Sequence, residues 1–350
     1  DGLIVKIAVD AMGGDYAPKE IVAGVELARD RYPEVEFNLY GQLDKVKPLL
    51  QNEDRINLIQ ADEVIAMEDE PVRAIRRKKQ SSIVLAAQDV RDGQADAFFS
   101  AGNTGAILAA GLLIIGRIKG IDRPGLTTIL PVLNKPDQDS FLMLDVGANA
   151  DTKPFNLYQY AIMGKYYAET VMGVKNPRIG LLNNGTEADK GDLVHKAAHE
   201  ALSSIEDINF IGNVESRELL NGVADVVVSD GFSGNAVLKS TEGTALSMLK
   251  LIKSTIMDGG ISAKLGAAML KSTFGKIQAQ MDYSKHGGAV LIGVKAPVVK
   301  THGSTKAPTV ANTIGQIKTM LENNVVADVV TYFDEHSDEM IAAKEQLKQK

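Results

Sequence analysis

Short apolar runs that break into polar, glycine-bearing loops recur along the chain as far as Asn235. The run Val5-Lys6-Ile7-Ala8-Val9 gives way to Asp10-Ala11-Met12-Gly13-Gly14-Asp15. Pro18, whose fixed φ suits a first helical turn, then opens a helix over 18–31 with Ile21, Val22, Val25 and Ala28 on one face. Four more strands end in the same way. The run 96–100 meets Ala101-Gly102-Asn103-Thr104-Gly105, and 141–145 meets Val146-Gly147-Ala148-Asn149. The run 179–182 meets Asn183-Asn184-Gly185-Thr186-Glu187, and 226–230 meets Gly231-Phe232-Ser233-Gly234-Asn235. Further strands are expected at 35–40, 56–60, 126–133, 209–211 and 287–294, with a last strand end and polar turn at 298–306. Helices are expected at 42–50, 83–90, 154–172 and 308–322. Strand and helix patterns alternate through Asp230 with short connections, which predicts an α/β fold: a doubly wound, mostly parallel sheet with helices on both faces.

A strand–loop–helix unit aims backbone N–H groups and the positive end of a helix at one point, where α/β proteins hold phosphate. A single glycine at such a turn serves the turn alone just as readily. None of the loops has P-loop spacing or a full GxGxxG, so there is no nucleotide fingerprint. It is their recurrence that predicts one shared crevice.

The pattern changes after Glu242. Residues 243–281 hold five lysines (Lys250, Lys253, Lys264, Lys271, Lys276) and one acid, Asp258. Leu246, Leu249, Ile252 and Ile256 form one apolar stripe, Ile261, Leu265, Met269 and Ile277 a second, and Gly259-Gly260 a turn between them. This predicts a basic, amphipathic helical hairpin inserted in a single α/β body over 4–333, followed by a charged, solvated helix over 334–350. Such a hairpin suits a dimer contact, a surface for anionic lipid or an acidic carrier protein, and these uses are compatible. At its tip Ile256, Met257, Ile261 and Leu265 form a candidate membrane foot. Tyr158, Tyr160, Tyr166 and Tyr167 read as core or subunit contact, and Asp1-Gly2-Leu3, with no initiator Met, as an addition ahead of the native chain.

With 350 residues, 45% hydrophobic and 24% charged, the chain is globular and large enough for one large domain or two smaller ones. The net charge of −7 gives no reason to expect nucleic acid. The absence of cysteine excludes disulfides and thiolate chemistry and fits a reducing cytoplasm. Five histidines with no HxxH or HExxH spacing do not suggest a metal site. The longest apolar stretch, 106–115, is half of the ~20 residues that a membrane span needs and reads as a helix buried against the sheet. No secretory leader is visible, so a soluble protein is expected. Arg73, Arg76, Arg77, Lys78 and Lys79 form either a solvated face or a cationic lip beside the crevice, ahead of Ser81-Ser82, which cap the next helix.

There is no Ser-His-Asp order and no GxSxG elbow, which disfavours covalent catalysis. What remains is positioning and electrostatic stabilisation by backbone N–H groups, by the amides of Asn103, Asn149, Asn184 and Asn235, by the hydroxyls of Thr104, Ser233 and Ser304, and by cations. That inventory suits direct attack of a bound phosphate oxygen on an activated carbonyl.

These residues resemble the PlsX-type phosphate acyltransferases, bacterial acyl-carrier-protein:phosphate transacylases. The resemblance is carried by 7–15 with Ala17-Pro18, by 74–79 with Ser81-Ser82, and by the loops 100–106, 145–149, 181–187 and 230–235 with the His302-Gly303-Ser304 turn, in order over 6–321. Thr305 stands where a second serine is expected and keeps the hydroxyl. The resemblance implies formation of acyl phosphate from a long-chain acyl carrier protein and inorganic phosphate, feeding a membrane acyltransferase that begins phosphatidic acid synthesis. It also implies a fold like isocitrate and isopropylmalate dehydrogenases and phosphotransacetylases, a homodimer, and peripheral attachment to the inner face of the cell membrane. No metal, nicotinamide or other cofactor is implied.

Phosphate is expected among Gly13-Gly14, Asn103-Thr104-Gly105 and Ser233-Gly234-Asn235, with Asp10, Asn149, Asn184 and Ser304 as further binding candidates. Lys306 would supply countercharge and His302 a proton for the departing thiolate, so Asn103, Thr104, His302 and Lys306 are the catalytic candidates. The cationic residues 73–79 are the first candidates for carrier docking. An NADP-dependent decarboxylating dehydrogenase would share the fold but needs an aspartate cluster for a divalent metal, and no compact DxxxD set appears. A non-enzymatic membrane scaffold would explain the hairpin and leave the loops unexplained.

Overall fold

The computed structural model describes residues 4–348; Asp1–Leu3 and the last two residues of the expected C-terminal helix lie outside the described residues. Eleven strands form one sheet: β1 (Val5–Asp10), β2 (Val35–Gly41), β3 (Ile56–Gln60), β4 (Ala97–Ser100), β5 (Gly125–Pro131), β6 (Ser140–Leu144), β7 (Arg178–Asn183), β8 (Asn209–Glu215), β9 (Val226–Val228), β10 (Ala289–Ile292) and β11 (Val298–Lys300). Their order is β3-β2-β1-β4-β11-β10-β5-β6-β9-β7-β8. Seven of the ten pairings are parallel, so the fold is α/β with a large, mostly parallel sheet. β5 with β6, and β10 with both β11 and β5, are antiparallel. Residues 132–139 and 293–297 contain no crossover helix, and connections that short join only antiparallel neighbours.

One row of register partners crosses the sheet: Leu39, Val9, Phe99, Val299, Val290, Thr127, Leu144, Val228 and Leu181. β1, β4 and β11 end one residue beyond it, at Asp10, Ser100 and Lys300. β6 and β9, which run the opposite way, end on it at Leu144 and Val228. Loops from two oppositely directed sets of strands therefore leave the sheet at one level.

The helices are α1 (Lys19–Arg31), α2 (Leu43–Val46), α3 (Pro71–Arg77), α4 (Ser82–Arg91), α5 (Thr104–Ala110), α6 (Pro154–Thr170), α7 (Leu193–Ser203), α8 (Gly231–Asp258), α9 (Ile261–Met269), α10 (Lys271–Gln280), α11 (Ala307–Glu322), α12 (Val325–Glu335) and α13 (Ser337–Lys348). Side chains alternate across β1: Ile7 and Val9 join a core with residues of α1, α6, α7 and α11–α13, while Ala8 joins one with α3–α5. The start of α8, through Val237 and Leu238, covers Phe141, Met143 and Val227. Tyr158, Tyr160 and Tyr167 are core residues.

Two expectations need correction. The 106–115 stretch is not wholly buried: α5 ends at Ala110, a π turn follows over Gly111–Ile115, and Leu112 and Leu113 face solvent. The charged C-terminal helix is not fully solvated, because α13 buries Met340 and Leu347 and Lys344 holds Asp122 at 2.6 Å. α7 and α12 were not foreseen; α7 buries Ala197, Ala198 and Leu202, and α12 buries Val325, Val329, Tyr332 and Phe333. The hairpin is an arm in which α8 is one unbroken helix of 28 residues, about 42 Å long, and the return leg is split into α9 and α10 at Leu270. Gly259-Gly260 makes the turn, and no residue from 243 to 282 is buried.

Candidate functional site

Two aspartates at strand ends fold the loops that flank the site. Asp10 accepts from the N–H groups of Met12 (2.9 Å) and Gly13 (3.2 Å) and from the Ser100 hydroxyl (2.7 Å). Ser100 in turn accepts from the Gly102 N–H at 3.0 Å. A Cβ on Gly13 would stand 2.7 Å from the Gly102 nitrogen, so the first two glycine loops pack backbone to backbone. Asp145 does the same work beyond β6, accepting from the N–H groups of Leu126, Gly147, Ala148 and Asn149 at 2.9–3.1 Å. Gly231 and Gly234 close on this loop so tightly that a Cβ on either would overlap the backbone at Asn149 or Asp145. Burial pushes the carboxyls of both aspartates up, against the pull of these hydrogen bonds.

Those partners remove several expected ligand groups. Asp10 is buried within its own loop and presents no carboxylate to a crevice. Asn149 gives its amide to Pro124 O and Tyr160 Oη, each at 2.7 Å. Asn103, expected to act in catalysis, is fully engaged by the chain. Its Nδ2 donates to the carbonyls of Ala66 (3.0 Å), Met67 (3.2 Å) and Asp69 (3.0 Å), and its Oδ1 caps α5 at Ala106 N (3.0 Å). Gly105 packs against Pro71. Gly14, at φ +118°, backs the last turn, where Asp15 N donates to Gly303 O at 2.7 Å; this loop supports the site from behind. Ser233 contributes its N–H to the Asp230 cap at 2.8 Å, and Asn184 is exposed on the loop after β7, away from the cleft described next.

What does converge is a cleft of about 570 Å³. Thr104, Gly147 and Asn235 line it, Lys239 and Glu242 of α8 form one wall, and residues 300–306 form the rim, including Lys300, His302, Ser304 and Lys306. Thr104, Asn235, His302, Ser304 and Lys306 of the expected set thus come together. The His302 imidazole is exposed and lies 3.8 Å from Glu242 Oε1. Lys306, at the cap of α11, reaches over the Tyr16 ring at 5.4 Å.

Lys300, Lys239 and Glu242 are the residues that sequence reasoning missed. Lys300 Nζ donates to Thr104 Oγ1 at 2.9 Å. Burial lowers its ammonium pKa, with the Lys239 charge acting the same way and Glu242 opposing. Three lysines, a threonine hydroxyl, a serine hydroxyl and an amide around one cleft have the chemistry to bind a small oxyanion.

A second cluster holds the start of α8. His195 on α7 places Nδ1 2.6 Å from Asp192 and Nε2 3.5 Å from Asp230. These carboxylates, Asp230 foremost, raise the histidine pKa against burial. At Asp230 burial acts upward, but the bonds from His195 and Ser233 prevail and hold its pKa at about 2. The carboxylate thus remains ionised as the cap of the helix that carries Asn235, Lys239 and Glu242. Neither α7 nor the pairing of His195 with Asp230 was foreseen from the sequence.

Of the cationic residues 73–79, Arg73, Arg76, Arg77 and Lys79 are exposed at the end of α3. Lys78 is not a free docking charge: it is bonded to Asp69 Oδ2 at 2.6 Å and Val64 O at 2.9 Å. At the arm tip Met257, Ile261 and Leu265 are exposed and Ile256 is half-buried. Among the described residues no helix is long and apolar enough to cross a membrane, and no group of three or more His, Asp or Glu is placed to hold a metal ion.

Residues 5–328 match the model of the family described as fatty acid synthesis protein. The chain is 74% identical over 344 residues to a phosphate acyltransferase of Levilactobacillus brevis, covering 98% of this chain and all of that protein. It is 65% identical over 330 residues to a phosphate acyltransferase of Lactiplantibacillus plantarum, covering 94% of this chain and 95% of that one. Among solved structures it is similar to a phosphotransacetylase from Streptococcus pyogenes, with a TM-score of 0.59 at 17% identity over 91% of this chain and 94% of that one. A branched-chain phosphotransacylase from Enterococcus faecalis gives the same TM-score at 15% identity, over 91% and 99%.

Proposed function

The chain belongs to the fatty acid synthesis protein (PlsX) family and is an enzyme, a phosphate acyltransferase; on that premise we propose that it converts a long-chain acyl carrier protein and inorganic phosphate into acyl phosphate and free carrier, for phosphatidic acid synthesis. The observation that carries this reading is the Lys300 ammonium on the Thr104 hydroxyl, with Lys239 and Lys306 in the same cleft. Phosphate binds among these cations with Ser304 and Asn235. One of its oxygens attacks the thioester carbon; the carbonyl electron pair moves onto oxygen, where Lys300 and Thr104 stabilise it. Collapse breaks the C–S bond and releases the carrier thiolate, which takes a proton from Lys300 or His302, and the proton that the attacking hydrogen phosphate loses on becoming acyl phosphate restores that donor. No covalent enzyme intermediate is required.

The wider reading is an isocitrate/isopropylmalate dehydrogenase-like body acting as a homodimer. It works in the cytoplasm and at the inner face of the cell membrane, where the arm tip rests and a membrane acyltransferase receives the product. The carrier docks on Arg73, Arg76, Arg77 and Lys79. Hydroxylamine trapping tests the reaction. With acyl carrier protein and phosphate, acyl hydroxamate should accumulate and disappear when phosphate is omitted. Carrier release that is independent of phosphate would overturn the assignment.

A further inference from the structure

We infer that the groove between α8 and α10 holds the acyl chain of the donor, a deepening that rests on the transfer reaction proposed above. The groove, about 750 Å³, lies in the size class of small-ligand sites. It is continuous with the anion cleft, because Glu242, Ser284, His302 and Ser304 border both. Past that polar threshold the α8 wall is apolar, while Gln278, Asp282 and Lys285 keep the facing side partly polar. On α8, Ala245, Leu246 and Leu249 follow Glu242 at helical spacing, so the four share one face. On α10, Gly275, Gln278 and Ala279 share the opposing face, and Met281 follows them.

This polarity gradient fits one kind of occupant. The thioester carbon belongs at the polar end, beside Lys300 and Thr104, and the hydrocarbon attached to it runs along the apolar α8 wall of Ala245, Leu246 and Leu249. An apolar surface left this open needs a cover, and an acyl chain provides one each time a donor binds. A second copy of the chain would cover the arm too, but it would not explain why the groove opens into the anion site. At Gly275 a Cβ would meet nothing within 4 Å, so this position leaves a gap in the wall that the hydrocarbon can occupy and a larger side chain can fill.

The test is Gly275→Leu, which replaces glycine within a helix by a better helix former and so does not endanger folding. Rates would be measured with saturated acyl-carrier-protein donors from butanoyl to hexadecanoyl, in both proteins. In the unmodified enzyme each methylene that enters the groove should raise kcat/KM by about fourfold. The variant should match it on the butanoyl donor and lose tenfold or more of the advantage on the longest ones. Parallel chain-length profiles would overturn the proposal. So would an altered sedimentation coefficient with an unchanged profile, which would make the groove a subunit contact. If the unmodified protein forms acyl phosphate from no donor, the transfer reaction itself falls, and that outcome is separable from the other two.

Discussion

Lys300 and Thr104 stand 196 positions apart and meet because β11 runs parallel beside β4, with Lys300 the register partner of Ser100. The two residues of the β4 loop have opposite duties: Asn103 ties the loop to residues 66–69, and Thr104 faces the cleft. Lys300→Gln should leave the melting temperature nearly unchanged and lower kcat/KM for phosphate by about a hundredfold, the usual cost of removing one electrostatic donor. Since burial lowers the Lys300 pKa, its cation is lost as pH rises through a value below that of an ordinary lysine, and phosphate binding should weaken on the alkaline side accordingly. Asn103→Ala should instead cost roughly 2–3 kcal/mol of stability, from a lost helix cap and three unpaired carbonyls, measured by denaturant unfolding. Equal stability with a lost rate would return Asn103 to catalysis. The sequence made the type of chemistry legible, since amides, hydroxyls and cations cluster at glycine loops. It did not show which atoms are free. A lysine closing the run Val298-Val299 looks like any strand end, and its partner is chosen by a strand pairing that no local pattern encodes.

At the scale of elements, most strands and several helices of the body followed from periodicity, α7 and α12 did not, and Ser81 caps α4 as its position suggests. The arm was legible in its stripes and its Gly-Gly turn, but not as an extension of the very helix that begins at the cleft. No glycine or proline breaks α8 strongly enough to separate the two, for Gly243 sits within the unbroken helix, and a Cβ there would meet nothing within 4 Å. The tip carries the membrane prediction. Lysines near an anionic leaflet contribute roughly 1 kcal/mol each, and an apolar side chain fully buried among acyl chains about 1.5–3 kcal/mol. Together these give reversible attachment. Replacing both Ile261 and Leu265 with Glu should abolish cosedimentation with anionic vesicles while the oligomeric state and activity on soluble donor persist. Undiminished vesicle binding would place the foot elsewhere.

For the whole molecule, the net charge of −7 disguises an uneven distribution, with free cations gathered at the end of α3. Neutralising Arg76 and Arg77 together should raise the apparent KM for the acidic carrier severalfold and flatten its salt dependence, because complementary charge chiefly speeds encounter. An unaltered salt dependence would move the docking surface to the arm lysines. The alternation of strands and helices was enough to foresee a mostly parallel sheet. Where it becomes antiparallel was not foreseen, because that depends on two short connections and on the insertion of β10 and β11 at the centre. These two are the last of the eleven strands in the chain, and they separate β4 from β5. During synthesis the ribosome delivers them after both flanking sets of strands. Until then β4 and β5 are open edges, able to pair with whatever strand is near. Lys300, His302, Ser304 and Lys306 arrive with or just behind β11, so the nascent chain lacks the proposed anion site until the splice closes. Completion of the sheet and assembly of the proposed phosphate cleft are one event, and a chain released before it would have neither.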